Sequence, residues 1–259
     1  RQMCIRDRNK TIFGGFKMKK ILFFTFFVTL LLFSITASAK GFGVGKNNKG
    51  ERPNVEDPII TENNGYAIGK DNKEIYLTFD CGYENGYTES ILDTLKETDT
   101  KAIFFITGHY LKSSKNIVKR MIDEGHMIGN HTYSHKDFTK STSVEILNDL
   151  KKLEDSFYQE FGTNMSKFVR PPRGEYNEMS QKTLKENGYI SVFWSLAYID
   201  WHKDVYNGNH YSYQKVISRI HNGAIILMHT VGKDNMVDLK DIIMKLKEEG
   251  YVFSTVDNL

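Results

Sequence analysis

The chain has 259 residues, 40% hydrophobic and 26% charged, which suits one large domain or two small ones of ordinary globular character. Two cysteines are too few for a disulfide-stapled scaffold. The formal charge of +3 is confined to the N-terminus: beyond residue 39 there remain 28 basic and 31 acidic side chains, so nothing points to nucleic acid.

Residues 1–17 are expected to be foreign to the protein. Arg1-Gln2-Met3-Cys4-Ile5-Arg6-Asp7-Arg8 reads as the translation of a common transposase sequencing adapter, which puts the natural start at Met18. Residues 18–39 then read as a secretory signal. Lys19 and Lys20 are its positive head, Ile21 to Ile35 its apolar centre and Ala37-Ser38-Ala39 its small-residue cleavage site. The apolar run of about 15 residues falls short of the roughly 20 that span a bilayer, so cleavage is expected, with a retained anchor as the alternative. Cys81 is then the only cysteine of an exported chain, and such a thiol calls for burial or a metal. Residues 40–72 are rich in Gly, Asn and Lys, with Pro53 and Pro58, and read as a linker or loosely attached arm.

From residue 73 to 259 strands and helices alternate. Predicted strands are 74–80, 102–106, 127–131, 168–170, 190–196, 224–228 and 251–256. Predicted helices are 88–98, 115–124, 143–161, 180–187, 213–220 and 236–249, several stopped by Gly162, Gly188 or Gly250. Strands this apolar with little alternation imply a parallel sheet covered on both faces. The fold class is α/β with about seven parallel strands, and the pattern alone fits a distorted (β/α) barrel or an open doubly wound sheet.

Chemistry-bearing residues fall at one strand end after another. Asp80 and Cys81 follow the first strand, His131 the third with His135 four residues on, and Arg170 the fourth. Asp200-Trp201 lies beyond the fifth and His229 follows the sixth. In a barrel-like sheet these ends converge on one face. A strand-end Asp also caps turns, so Asp80 alone decides nothing. On a helical turn His131 and His135 would point the same way and grip one metal, with Cys81 as a third ligand and an open position, which is zinc chemistry. Asp80 would then serve as a base, with Arg170 fixing its carboxylate by a two-pronged fork. His229 would protonate a leaving nitrogen while Asp200 holds its charged form, and Trp201 would offer an aromatic face to a sugar. His109, His126, His202, His210 and His221 have no motif partners and read as surface or strand-end residues.

Thr78-Phe79-Asp80, His131-x-x-x-His135, Arg170-Pro171-Pro172-Arg173-Gly174, Asp200-Trp201 and Leu227-Met228-His229 resemble the five ordered motifs of polysaccharide deacetylases of carbohydrate esterase family four, the NodB-homology domain. The resemblance covers about residues 73–257. It implies a distorted (β/α) barrel, a divalent metal (zinc by the donor types), and removal of an N-acetyl group from a sugar. It also implies Asp80 as base, His131 and His135 as metal ligands, Arg170 as orienter, Asp200 as partner of the acid His229, and the Arg173 N–H as oxyanion donor. Cys81 departs from the family, most members of which carry a second metal-binding Asp there.

Gly82-Tyr83-Glu84-Asn85-Gly86-Tyr87-Thr88, Gly129-Asn130-His131 and Trp194-Ser195 make the sequence more similar to the δ-lactam-forming branch, which acts on muramic acid of spore cortex. For that branch the partner is a peptidoglycan glycan strand without its stem peptide, and no protein partner is implied. Arg173, Trp201 and Tyr176 are the candidate substrate contacts, Arg173 as a partner for the lactyl carboxylate of muramic acid. The alternatives are a glucosamine or chitin-type deacetylase and a carbohydrate-binding pseudoenzyme.

Overall fold

The computed structural model describes residues 38–43 and 50–259. The expected adapter and most of the expected signal lie outside the described residues. Among the described residues no helix is long and apolar enough to cross a membrane.

Strand β2 (Glu74–Cys81) is the axis of the sheet. Parallel strands β3 (Ile103–Ile106), β4 (Met127–Asn130), β5 (Phe168–Val169) and β7 (Ile190–Ser191) follow on one side of it, and β8 (Ile225–His229) lies on the other. Strand β9 (Val252–Ser254) pairs with the first three residues of β2. A short antiparallel pair, β1 (Lys40–Gly41) with β6 (Glu175–Tyr176), lies apart from this sheet. All seven expected strands are present and parallel. The expected strand 190–196 keeps its ladder only over Ile190–Ser191. Its continuation then crosses to β8, where Leu196 bridges Ile226 and the Leu227 N–H donates to the Leu196 carbonyl at 2.9 Å. That crossing curls the sheet into a half-barrel.

Alternation along the strands separates two cores. Ile75, Leu77, Phe79 and Cys81 of β2, Phe104 and Ile106 of β3, and Ile226 and Met228 of β8 pack outward under the helices. Tyr76, Ile103, Phe105, Ile225 and Leu227 pack inward with Val192, Phe193 and Trp194. The outer layer includes α2 (Thr88–Glu97), α4 (Lys115–Asp123) and α8 (Lys233–Glu248), whose buried Ile91, Leu92 and Leu95, Val118 and Met121, and Leu239, Ile242 and Ile243 recur at helical spacing. Helix α5 (Ser143–Phe161) starts on a Thr142–Glu145 capping box and ends on Gly162 at φ 67, as its sequence demands. The other helices are α1 (Pro58–Thr61), α3 (Gly108–Ser113), α6 (Glu178–Glu186) and α7 (Tyr211–Ile217).

The segment read as a linker or arm is packed. Ile60 is fully buried, Arg52 donates to the carbonyls of Asn222 (2.6 Å) and Gly69 (2.7 Å), and the Phe193 N–H donates to the Tyr66 carbonyl at 2.7 Å. These contacts are tertiary, so no local period announces them.

Candidate active site

Register brings the first pair together. Asp80 on β2 lies directly beside His229 on β8, and both point inward. Asn130 at the end of β4 pairs with Val169 at the end of β5, so His131 and Arg170, the next residues, emerge side by side. A cleft of about 860 Å³ opens above these strand ends. Asp80, His131, His135, Arg173, Trp201 and His229 all line it.

Arg170 is fully buried and fully engaged. Its Nε donates to the Val192 carbonyl at 2.9 Å and Nη2 to the Phe193 carbonyl at 3.0 Å. Its Nη1 donates to Thr78 Oγ1 at 2.8 Å and to Asp80 Oδ1 at 2.9 Å. The expected fork to Asp80 is therefore one N–H, because the other bonded donors go to Thr78 and to the crossing segment 192–193. The guanidinium lies 4.3 Å over the Phe105 ring. That ring needs Gly129: a Cβ there would come within 2.5 Å of it. Burial alone would raise the Asp80 pKa, but Arg170, His131 and His229 outweigh it and hold Asp80 below the usual carboxylate range.

His229 is fixed from behind. Its Nδ1 lies 2.7 Å from Asp200 Oδ1, while Asp200 Oδ2 accepts from the His229 backbone N–H at 2.8 Å. Asn235, at the start of α8, donates to Asp200 Oδ2 at 2.7 Å and to the His229 carbonyl at 2.9 Å. Its own Oδ1 accepts from Tyr198 Oη and Ser212 Oγ. Sequence reasoning missed Asn235, since only the docking of α8 brings it there. Burial opposes a charged His229 ring, but Asp200 and then Asp80 outweigh it, so its pKa is raised. A group with a raised native pKa adds stability below its unfolded value and loses it as pH rises through the native one. If the protonated ring is the acid, activity falls over that same upper window. Asp200→Asn is then expected to move the alkaline limb of kcat/KM to lower pH, and an unmoved limb would refute the pairing.

His131 and His135 do not share a helical turn. They lie in a loop with Thr132 at φ 66 and His135 at φ 55, and their rings stand 5.0 Å apart at 69°. The His131 Nδ1 lies 2.8 Å from the Arg170 carbonyl, so Nε2 faces the cleft, 3.6 Å from Asp80 Oδ2. Burial lowers the His131 pKa. Burial, the His131 ring and Arg173 press His135 to about 4.

Cys81 is not in the site. Strand β2 runs one residue further than its sequence suggests, so Cys81 takes the face opposite to Asp80 and packs, fully buried, in the outer core. Burial pushes its thiol up, away from the thiolate a metal needs, and its Sγ accepts from Thr230 Oγ1 at 3.6 Å. Tyr176 is also turned away. It is buried against Phe193, and its hydroxyl donates to Asp57 Oδ2 at 2.9 Å, anchoring the N-terminal segment. Trp201 is 39% exposed and meets the His229 ring edge-on at 5.7 Å. Arg173, at φ 57, sits at the cleft rim with Nη2 2.5 Å from Glu175 Oε2 and 3.0 Å from Asp137 Oδ2. His126 and His221, read as surface or strand-end residues, are buried.

A carboxylate whose pKa is lowered, in register with an imidazole whose pKa is raised, in one half-barrel cleft, is an arrangement suited to general acid–base catalysis. The polysaccharide deacetylase family pattern matches residues 67–192. The peptidoglycan-N-acetylmuramic acid deacetylase PdaA of Bacillus subtilis is 43% identical over 202 residues, 78% of this chain and 77% of that protein. A peptidoglycan-N-acetylglucosamine deacetylase of Bacillus cereus is 37% identical over 207 residues, 76% of this chain and 73% of that protein. The solved structure of Bacillus subtilis PdaA, a family 4 carbohydrate esterase, superposes with a TM-score of 0.82 at 39% identity, covering 86% of this chain and 97% of that one. The chain belongs to the polysaccharide deacetylase family, carbohydrate esterase family 4, whose members hydrolyse the amide of N-acetyl groups and are generally metal-dependent.

The donor set answers to that metal in part. Among the described residues no group of three or more His, Cys, Asp or Glu converges as a metal-holding set. Two imidazoles do face one cleft, one of them oriented by a carbonyl on its far nitrogen, as metal-binding histidines are. The residues fit a cation held by His131 and His135, without the expected third ligand.

Proposed function

We propose that this chain removes N-acetyl groups from peptidoglycan glycan, and that its substrate is N-acetylmuramic acid freed of its stem peptide. One observation carries the chemistry: Asp80 and His229 lie in register across a single cleft, each with its own charged partner. Water placed beside Asp80 gives it a proton as the oxygen adds to the acetyl carbonyl. The N–H of Arg173, on its left-handed backbone at the rim, is the candidate donor to the resulting oxyanion. Collapse breaks the C–N bond as His229 Nε2 delivers its proton to the amine, leaving acetate and a free amino sugar. A divalent cation, zinc by its imidazole ligands, would be held by His131 and His135 and would polarise the carbonyl. On muramic acid the freed amine closes on the lactyl carboxylate with loss of water, which yields the δ-lactam of spore cortex.

The muramic reading is supported by the identity to PdaA and by Arg173. Among the described residues only Asp137 and Glu175 pair with its guanidinium, both through Nη2, so Nε and Nη1 remain for a carboxylate. The relative named for N-acetylglucosamine supports the second reading. Acetate release from amidase-treated glycan and from chitin oligomers separates them. We expect the former to be preferred, with Arg173→Ala losing about tenfold of that preference, in line with one charge-assisted pair. A variant that treats both as wild type does would refute the role of Arg173. We also propose export through the signal at 18–39, which requires secreted protein to begin at Lys40.

A further inference from the structure

The loop after β2 carries one aromatic side chain whose surroundings the catalytic scheme leaves unexplained. Tyr83 is 37% exposed, and among the described residues it makes no hydrogen bond, ion pair or ring contact. Its neighbours are all tied down. The Glu84 carboxylate accepts the N–H groups of Gly86 (2.7 Å) and Tyr87 (3.1 Å) and the hydroxyl of Tyr110 (2.9 Å). The Asn85 amide donates to the carbonyls of Lys203 and Val231, both at 3.1 Å. The Gly82 carbonyl accepts from Thr107 Oγ1 at 3.1 Å. An unpartnered ring is thus held out on a rigid base.

Three clefts meet at that ring. Tyr83 lines the catalytic cleft. It also lines a second of about 550 Å³, shared with His109, Lys112 and Asn116, and a third of about 520 Å³, shared with Trp201, His202 and Lys203. His109 joins the first cleft to the second, and Trp201 joins the first to the third. Both flanking clefts are shallow and open to solvent, a form that suits a sugar chain lying along the surface. A pyranose has an apolar C–H face that loses water on an aromatic ring, and a rim of hydroxyls that seek polar groups such as those beside Tyr83.

We propose that Tyr83 is the platform on which the glycan strand crosses the active site. Sugar units on both sides of the reacting one occupy the flanking clefts, and the enzyme works on the interior of a strand. Tyr83 is a positioning and specificity residue, and the inference rests on the deacetylase reading for its choice of ligand. It is tested by binding, read without turnover, of peptide-free glycan fragments of one, three and five sugar units to the Asp80→Asn protein. We expect Kd to fall at least tenfold from the shortest to the longest fragment, the shortest entering as a lower limit if its binding is too weak to fit. Adding Tyr83→Ala compresses that ratio to threefold or less, and Tyr83→Phe, which keeps the aromatic face, restores it. A ratio that Tyr83→Ala leaves intact, or no length dependence with Tyr83 present, overturns the proposal. If length-dependent binding is lost in Tyr83→Ala but the wild-type protein releases no acetate, the platform stands and the deacetylase reading falls. If acetate is released but the ratio is unmoved, the reverse holds.

Discussion

Asp80→Asn is expected to lower kcat for acetate release from peptide-free glycan by about 10²–10⁴-fold, the usual contribution of a positioned general base. The change is nearly isosteric. The amide carbonyl that replaces the carboxylate still accepts the Arg170 N–H that now reaches Asp80 Oδ1 at 2.9 Å, so the loss is chemical and not a collapse of the cleft. What disappears is the ability to take a proton from water. Since burial is outweighed by Arg170, His131 and His229, native Asp80 stays ionised well below neutral pH. The wild-type rate should therefore show a plateau bounded below by the lowered Asp80 pKa and above by the raised His229 pKa. KM should move far less than kcat, because the aromatic and polar walls of the cleft remain. Acetate release within a few-fold of wild type would remove Asp80 from the role of base.

Much of this site was legible because strand ends are a topological property. Asp80, Arg170 and His229 each follow an apolar run, and parallel strands bring such ends to one edge whatever the details of the helices. Cys81 was misread for a reason of parity: ending β2 at Asp80 leaves Cys81 free to turn inward, whereas one more strand residue sends it to the helix face. The His131–His135 spacing suggested a helical turn, but the pair is held by two left-handed residues, and nothing in the spacing distinguishes the two. Tyr176 follows the Arg-Pro-Pro-Arg-Gly run, yet its ring is taken by Phe193 and its hydroxyl by Asp57. That partner lies in a segment without periodicity, so the packing of residues 50–72 and the orientation of Tyr176 were hidden together. Asn235 was hidden by the same cause, since its bonds to Asp200 and His229 exist only once α8 has docked.

Arg170→Met should have the largest effect on folding. The side chain is fully buried, and its removal strips a donor from the carbonyls of Val192 and Phe193, from Thr78 and from Asp80 at once. Breaking one half of a buried ion pair costs about 3–5 kcal/mol, because the other half is left charged and uncompensated. The pH dependence identifies that cause. In the native protein the depressed Asp80 pKa adds stability above the unfolded carboxylate pKa, and this is lost as pH falls through the native value. Arg170 is the largest of the influences opposing burial, so without it the Asp80 pKa is expected to rise, and the sign reverses once it passes the unfolded value. The variant should be weakest near neutral pH and gain stability as Asp80 takes up a proton. Denaturant unfolding across pH 4–8 should show this, and a second substitution, Asp80→Asn, should recover part of the loss at neutral pH. A deficit that stays constant with pH and is unrelieved by Asp80→Asn would mean that Arg170 serves only to tie the crossing segment 192–196 to the sheet, and that the charge of Asp80 is balanced elsewhere.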